Sequence, residues 1–235
     1  MIPDAQTEGF QPDRNAMLAH LNHLFHDSPS GLVELAWCPP NGELNKGLQF
    51  SLMDFDELVD KAVEINLIPG QNVYIGAALR KMNTAPIGRA GDNCYFGTMA
   101  VYADLDDAGS VQAAIERVSA CKPTFIVSTG RVPDWRAQLW WKLDKPFGDP
   151  EQHRRICGAL AAALGGDQVV VNPSRIMRLA GSIAWPQKPG RVTEMTAILP
   201  VKGGGSTVTM ETLQAAFPAP AAVLWPSLSP AALPV

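Results

Sequence analysis

This 235-residue chain has no long apolar run: no stretch reaches the roughly 18 uninterrupted apolar residues of a membrane-spanning helix. Its first residues, MIPDAQTEGFQPDR, are polar and acidic where a signal peptide is basic and then apolar. The expectation is a protein neither secreted nor membrane-spanning. Cysteine is scarce, and Cys38, Cys94, Cys121 and Cys157 form no CxxC pair. That argues against a disulfide frame or a structural zinc site and for reduced thiols in a cytosol. Glycine-rich phosphate loops are missing too: neither GxGxxG nor GxxxxGK followed by Ser or Thr occurs, which excludes a P-loop ATPase and a Rossmann dinucleotide site.

What remains has the mix of a folded protein, with 46% hydrophobic and 18% charged residues. The length allows one large domain or two small ones, able to bury roughly two-thirds of the unfolded surface. The net charge of −4 conceals an uneven distribution. Residues 1–121 hold 7 Lys/Arg against 16 Asp/Glu, a balance of −9, and residues 122–202 hold 12 against 6, a balance of +6. Such a basic segment is either a footprint for phosphate or a solvated face.

Residues 14–26 place Met17, Leu21, Leu24 and Phe25 at helical spacing, with Asp13 as N-cap. His20, His23 and His26 recur on this helix without an acidic or cysteine partner, which favours a surface helix over a metal site. GLVELAWC (31–38) predicts a strand closed by a Pro39–Gly42 turn, and residues 54–66 a second amphipathic helix. Strands are expected at 73–79, 99–105, 124–128 and 137–143, and helices at 110–120 and 150–164. The closeness of TFIVS to AQLWWKL predicts a hairpin, hence a mixed or antiparallel α+β sheet. The Pro/Ala-rich residues 217–235 read as a tail or linker leading into a longer protein.

The most informative segment is AVYADLDD (100–107), an apolar strand ending in Asp-x-Asp. Residues two apart on a strand face one side, so Asp104 and Asp106 converge at the strand's end. Two like charges that close favour a hard divalent cation between them, and Mg²⁺ is commonly held by one or two carboxylates plus phosphate oxygens. The competing reading is a strand terminus followed by an acidic turn.

Downstream lie STGR (128–131), RAQLWW (136–141) and RIMRLAGS (175–182), with Lys188 and Arg191 close behind. From about Val73 to Arg191 the chain resembles the primase-polymerase domains of phage and plasmid replication proteins, the RepB-like branch of the archaeo-eukaryotic primase superfamily. The family's first motif is matched by Asp104 and Asp106, and its Arg-hydrophobic-x-Arg-Leu-Pro-Gly-Thr stretch by RIMRLAGS, with Ala180 for Pro and Ser182 for Thr. At the second motif Gln138 stands where the family has histidine; glutamine donates a hydrogen bond but carries no charge, so nucleotide binding leans on Arg136 and Arg131 or catalysis is weak. Asp167 fits the third acid, Asp144 is the alternative, and Asn172 cannot be an anionic ligand.

The resemblance implies an α+β fold: an RRM-like antiparallel palm (about 73–202) beside an N-terminal α/β portion (about 1–72), within a catalytic domain spanning 1–216. It implies a nucleotidyltransferase, a template-directed DNA primase/polymerase releasing pyrophosphate, in mobile-element replication in the cytoplasm of a bacterial host. Asp104, Asp106 and Asp167 would be catalytic and hold Mg²⁺ or Mn²⁺. Ser128, Arg136, Gln138, Arg175, Arg178 and Lys188 would bind the nucleotide. The implied partners are a single-stranded DNA template, a primer, an NTP or dNTP, and a helicase domain in the longer parent protein, with no membrane. Arg80 and Arg89 are candidate template or nucleotide contacts. One of Trp140 and Trp141 faces the core while the other is free to stack on a base, although core packing suits either. A non-catalytic DNA-binding initiation module and a metal-dependent nuclease are the rival functions.

Overall fold

The computed structural model describes residues 9–39, 42–204 and 207–218. Five α-helices are found among them. In α1 (Arg14–Phe25) the Asp13 carboxylate caps the N-terminus, accepting the Ala16 N–H at 3.0 Å, while Met17, Leu21, Leu24 and Phe25 enter the core. Helix α2 (Phe55–Asn66) buries Leu58, Val59, Ala62 and Ile65. Helix α3 (Ser110–Arg117) continues as a 3₁₀ turn over Val118–Ala120. Helix α4 (Pro150–Leu164) starts at the Asp149 cap, with Pro150 where a missing N–H leaves no bond unmade, and stops at Gly165 with φ +75°. The short α5 is Met210–Ala216.

Nine strands form one sheet among the described residues: β1 (Leu32–Cys38), β2 (Lys46–Ser51), β3 (Asn72–Gly76), β4 (Leu79–Arg80), β5 (Tyr95–Leu105), β6 (Phe125–Gly130), β7 (Arg136–Phe147), β8 (Ile176–Arg178) and, after a separate antiparallel pair β9 (Ile183–Ala184) and β10 (Glu194–Met195), β11 (Ala197–Pro200). Every ladder in it is antiparallel, and β6 and β7 form the expected hairpin. The fold is thus the α+β arrangement expected. Residues on either side of position 72 share this sheet, because β1 pairs with β2 along one edge and with β3 and β4 along the other.

The single strand expected at 73–79 is broken. Its first half, β3, pairs with Leu35–Cys38 of β1 and its second, β4, with Leu32, the chain bending at Ala77 and Ala78. The bend lets one strand take two neighbours on its free edge, β8 beside β3 and β5 beside β4. The arginine-bearing β8 is thereby brought to the same region of the sheet as the aspartate-bearing β5.

Both faces of the central strands are covered. Tyr102 and Trp140 pack with His20 of α1 and His153 of α4, while Trp141, on the opposite face, meets the Phe217 ring at 5.6 Å and donates its indole N–H to the Cys121 carbonyl at 3.2 Å. Both tryptophans are wholly buried, so neither is available for a base. Phe217, placed at the start of the tail by its sequence, is also core; residues beyond 218, like Pro40 and Asn41 of the predicted turn, lie outside the described residues. The first helix is less superficial than expected: His20 is fully buried and accepts the Ala180 N–H on Nδ1 at 3.1 Å. No helix is long and apolar enough to cross a membrane among the described residues. All four thiols are free.

Candidate active site

Asp104 occupies the last turn of the β5 pleat and Asp106 follows just beyond the strand's end. The two line one cleft of about 380 Å³ together with Tyr74, Thr129, Arg136, Gln138, Arg175, Arg178, Lys188 and Arg191. Three segments supply the walls. Strand β7 places Gln138 directly across from Asp104, the loop into β8 supplies Arg175 and β8 itself Arg178, and the segment after β9 brings Lys188 and Arg191.

The two carboxylates differ sharply. Asp106 is one-third exposed and accepts from the Lys188 ammonium at 2.8 Å and the Arg191 guanidinium at 2.7 Å, with Arg136 Nε at 3.8 Å. Burial works to raise its pKa, but these hydrogen bonds outweigh it and hold the carboxyl below its usual range. Asp104 receives no side-chain hydrogen bond among the described residues. Burial, then the like charge of Asp106, pushes its pKa up to about 7, against the weaker pull of Arg175 and Arg178. A divalent cation beside the pair would remove that burden. Two carboxylates completed by substrate oxygens are a usual Mg²⁺ set, so the residues fit such an ion.

Asp167 does not complete a three-carboxylate cage. It is exposed in the turn after α4, its Oδ1 accepts the Val169 N–H at 2.8 Å, and its own N–H is bonded to the Asp104 carbonyl at 2.9 Å. Among the described residues no three His, Cys, Asp or Glu side chains stand together as a metal-holding group. The alternative acid, Asp144, lies towards the far end of β7 from Gln138, and Asn172 bonds Ser174 Oγ at 2.8 Å within its own turn.

The predicted nucleotide-binding residues divide. Arg175 lines the cleft with one N–H on the Val169 carbonyl at 3.0 Å and its Nε without a partner. Arg178 lies over the Tyr74 ring at 4.7 Å from its centroid and bonds Asn72 and Gln187. Lys188 is the most exposed of the cations on Asp106. Gln138 is buried, with its Oε1 unpaired.

Arg136 borders the cleft but is committed to the β6–β7 turn, donating to the Val132 and Asp134 carbonyls at 2.7 and 3.1 Å and to Glu194 at 3.1 Å. Ser128 stands away from the cleft: it pairs with Ala137, whose face is opposite to that of Gln138, and its hydroxyl accepts the Trp135 indole N–H at 3.2 Å. It lines a separate hollow with Arg131 and Glu194. Strand alternation, with Val127 opposite Gln138, turns Thr129 to the cleft instead. Arg80 and Arg89 also stand outside the cleft lining, and both are engaged by the buried Glu34.

Sequence reasoning left Tyr74, Thr129 and Arg191 out of the site. Of these, Arg191 carried a signal as a cation of the basic segment just behind RIMRLAGS.

Among solved structures, the archaeo-eukaryotic primase domain of the cyanophage S-2L primase-polymerase superposes with a TM-score of 0.61 at 21% identity, over 89% of this chain and 100% of that one. This chain has the primase-polymerase fold. The primase RepB′ shares it, at a TM-score of 0.57 and 17% identity over 85% of this chain and 62% of that one. So does the RepB′ catalytic domain in complex with initiator DNA, at 0.57 and 16% over 86% and 93%. No family model and no curated protein matches the sequence. The cleft at the end of β5 gathers two acids and five cations.

Proposed function

We propose that the chain is a template-directed nucleotidyltransferase that joins nucleoside monophosphates from (d)NTPs to a nucleic-acid 3′-end. The observation that carries this reading is the pairing of Asp104 and Asp106 in a cleft walled by Arg175, Arg178, Lys188 and Arg191. The 3′-oxygen attacks the α-phosphorus, a phosphodiester forms, the α–β bond breaks and pyrophosphate leaves. Asp104 and Asp106 would hold Mg²⁺ or Mn²⁺, which would supply Lewis-acid activation of the hydroxyl and charge neutralisation of the leaving group.

The chain's own residues do the rest. Arg175 and Arg178, with planar guanidiniums suited to paired phosphate oxygens, fix the triphosphate on one wall. Lys188 and Arg191 transfer from Asp106 to phosphate as the nucleotide enters. Gln138 and Thr129 supply neutral hydrogen bonds beside the reacting centre. Asp167 adds negative potential at the rim. The substrate is a primed single-stranded DNA, and the setting is replication of a phage or plasmid alongside a helicase.

One observation favours a second reading. Gln138 brings an uncharged side chain with an unpaired oxygen to the position where the resembling family has histidine, as in a DNA-binding initiation module without turnover. A labelled primer on a single-stranded template, with dNTPs and Mg²⁺ or Mn²⁺, separates these. Elongation supports the transferase, binding without extension supports the module, and primer shortening supports a nuclease.

A further inference from the structure

Glu34, in the middle of β1 and far in sequence from the cleft's acids and cations, is a wholly buried charged group. Its side chain and that of Arg80 are both wholly inaccessible. Glu34 Oε2 accepts from Arg80 Nε at 3.0 Å and Nη2 at 2.8 Å, and Oε1 from Arg89 Nε at 2.6 Å and the Ala90 N–H at 2.9 Å. Gly76 leaves room for the cluster, since a Cβ there would stand 3.1 Å from Arg80 Nη2.

One carboxylate and two guanidiniums leave a surplus positive charge, and it is directed at one short segment. Arg80 donates to the Pro173 carbonyl at 2.9 Å and the Ser174 carbonyl at 3.1 Å, and Arg89 donates to Ser174 at 3.2 Å. From the other side Asp92 accepts the Ser174 N–H at 2.9 Å. The next residue is Arg175, whose carbonyl accepts the Ala77 N–H at 2.8 Å, and Arg178 follows in β8. Buried ion clusters are poor stabilisers compared with apolar packing of the same volume. A cluster that sends three further hydrogen bonds to the two residues before a cleft arginine has a directional result instead.

We infer that Glu34 is a positioning residue, acting through Arg80 and Arg89 to fix the path of Pro173–Ser174 and so the place at which Arg175 enters the triphosphate cleft. This rests on the nucleotidyltransferase reading. Without the clamp the arginine is still present but its guanidinium is not held to the phosphates' position, and displacements of about an ångström are costly for such contacts.

The test uses Arg89→Ala, which removes one clamp on Ser174 while Arg80 still neutralises Glu34, and Glu34→Gln as a second variant. Folding is checked by thermal melting, and binding of a fluorescent dNTP with Mg²⁺ and primer extension are measured separately. Arg89→Ala is expected to fold, to bind the nucleotide on the order of tenfold more weakly and to keep kcat at saturating dNTP, with Arg89→Lys recovering part of the loss. Arg89→Ala added to Arg175→Ala should bring no further loss, because both act at one contact.

Unchanged dNTP affinity in folded Arg89→Ala, or losses that add in the double variant, overturns the inference while leaving the transferase reading intact. A wild-type protein that neither binds dNTP nor extends a primer overturns both. If Glu34→Gln fails to fold, the Arg89 and Arg175 measurements decide alone.

Discussion

Asp106 and Arg191 are joined at 2.7 Å, so a carboxylate assigned to the metal and a cation assigned to the triphosphate neutralise each other before either ligand arrives. Lys188 completes the arrangement at 2.8 Å. Arg191→Ala should therefore act in opposite directions on the two ligands. Mn²⁺ alone, followed by isothermal titration, should bind more tightly because Asp106 loses one of its two closest cations. The KM for dNTP should rise about 10- to 100-fold, the effect of one lost charge-assisted contact. Weakening of both, or of neither, would refute the exchange.

Gln138 offers a gain-of-charge test. It faces Asp104 across the β5–β7 ladder and carries no charge of its own. Gln138→His should make dNTP affinity depend on pH, tighter than wild type at the acidic pH where the imidazole is protonated and converging with wild type as that proton is lost. Affinity independent of pH in the variant would mean that this side chain does not face the phosphates.

Acid stability follows from two buried histidines. Burial, with the nearby charge of His23, drops the His20 pKa to about 3, and burial, with Arg80 and Arg154, drops that of His153 to about 3. The unfolded chain takes up these protons near pH 6.5 and the folded one does not, so stability is present above that pH and lost as pH falls towards 3, by about 1.4 kcal/mol per unit per histidine. Asp104, raised to about 7, has the opposite sign, because the folded state binds its proton first. The net expectation for metal-free protein between pH 6 and 4.5 is a loss of about 1.4 kcal/mol per unit, read from urea midpoints. His153→Phe should leave the profile nearly flat across that window, and an unchanged slope would rule out His153 as its source.

Gly181 tests the docking of α1 on the RIMRLAGS segment. Its φ is +83°, and a Cβ would lie 2.4 Å from the Asp13 carbonyl and 3.1 Å from the Met17 nitrogen. Gly181→Ala should destabilise the fold by about 2 kcal/mol or more, because neither the backbone angle nor the helix can give way cheaply. A thermal melt within error of wild type would contradict this packing.

Much of this was legible in the sequence where the pattern was local. The helix faces of α1, α2 and α4, the β6–β7 hairpin and the Asp104–Asp106 pair follow from periods of 3.6 and 2 and from turn residues. What escaped depends on long-range partners. Alternation assigns Trp140 and Trp141 to opposite faces but not the helices and Phe217 that cover both. The pairing of Val127 with Gln138 puts Thr129 rather than Ser128 at the cleft, a difference of one residue that no composition reveals. Glu34 reads as an isolated acid in an apolar strand until Arg80 and Arg89, 46 and 55 residues away, fold onto it. Strands β8 to β10 are two or three residues long, too short for any periodicity to mark.

The most direct measurement is single-turnover primer extension with Mg²⁺ by wild type and by Asp104→Asn combined with Asp106→Asn, each checked for folding. Wild type should add a nucleotide to the 3′-end and release pyrophosphate, and the folded double variant should be at least about a thousandfold slower. Extension at the wild-type rate by the double variant would contradict the account.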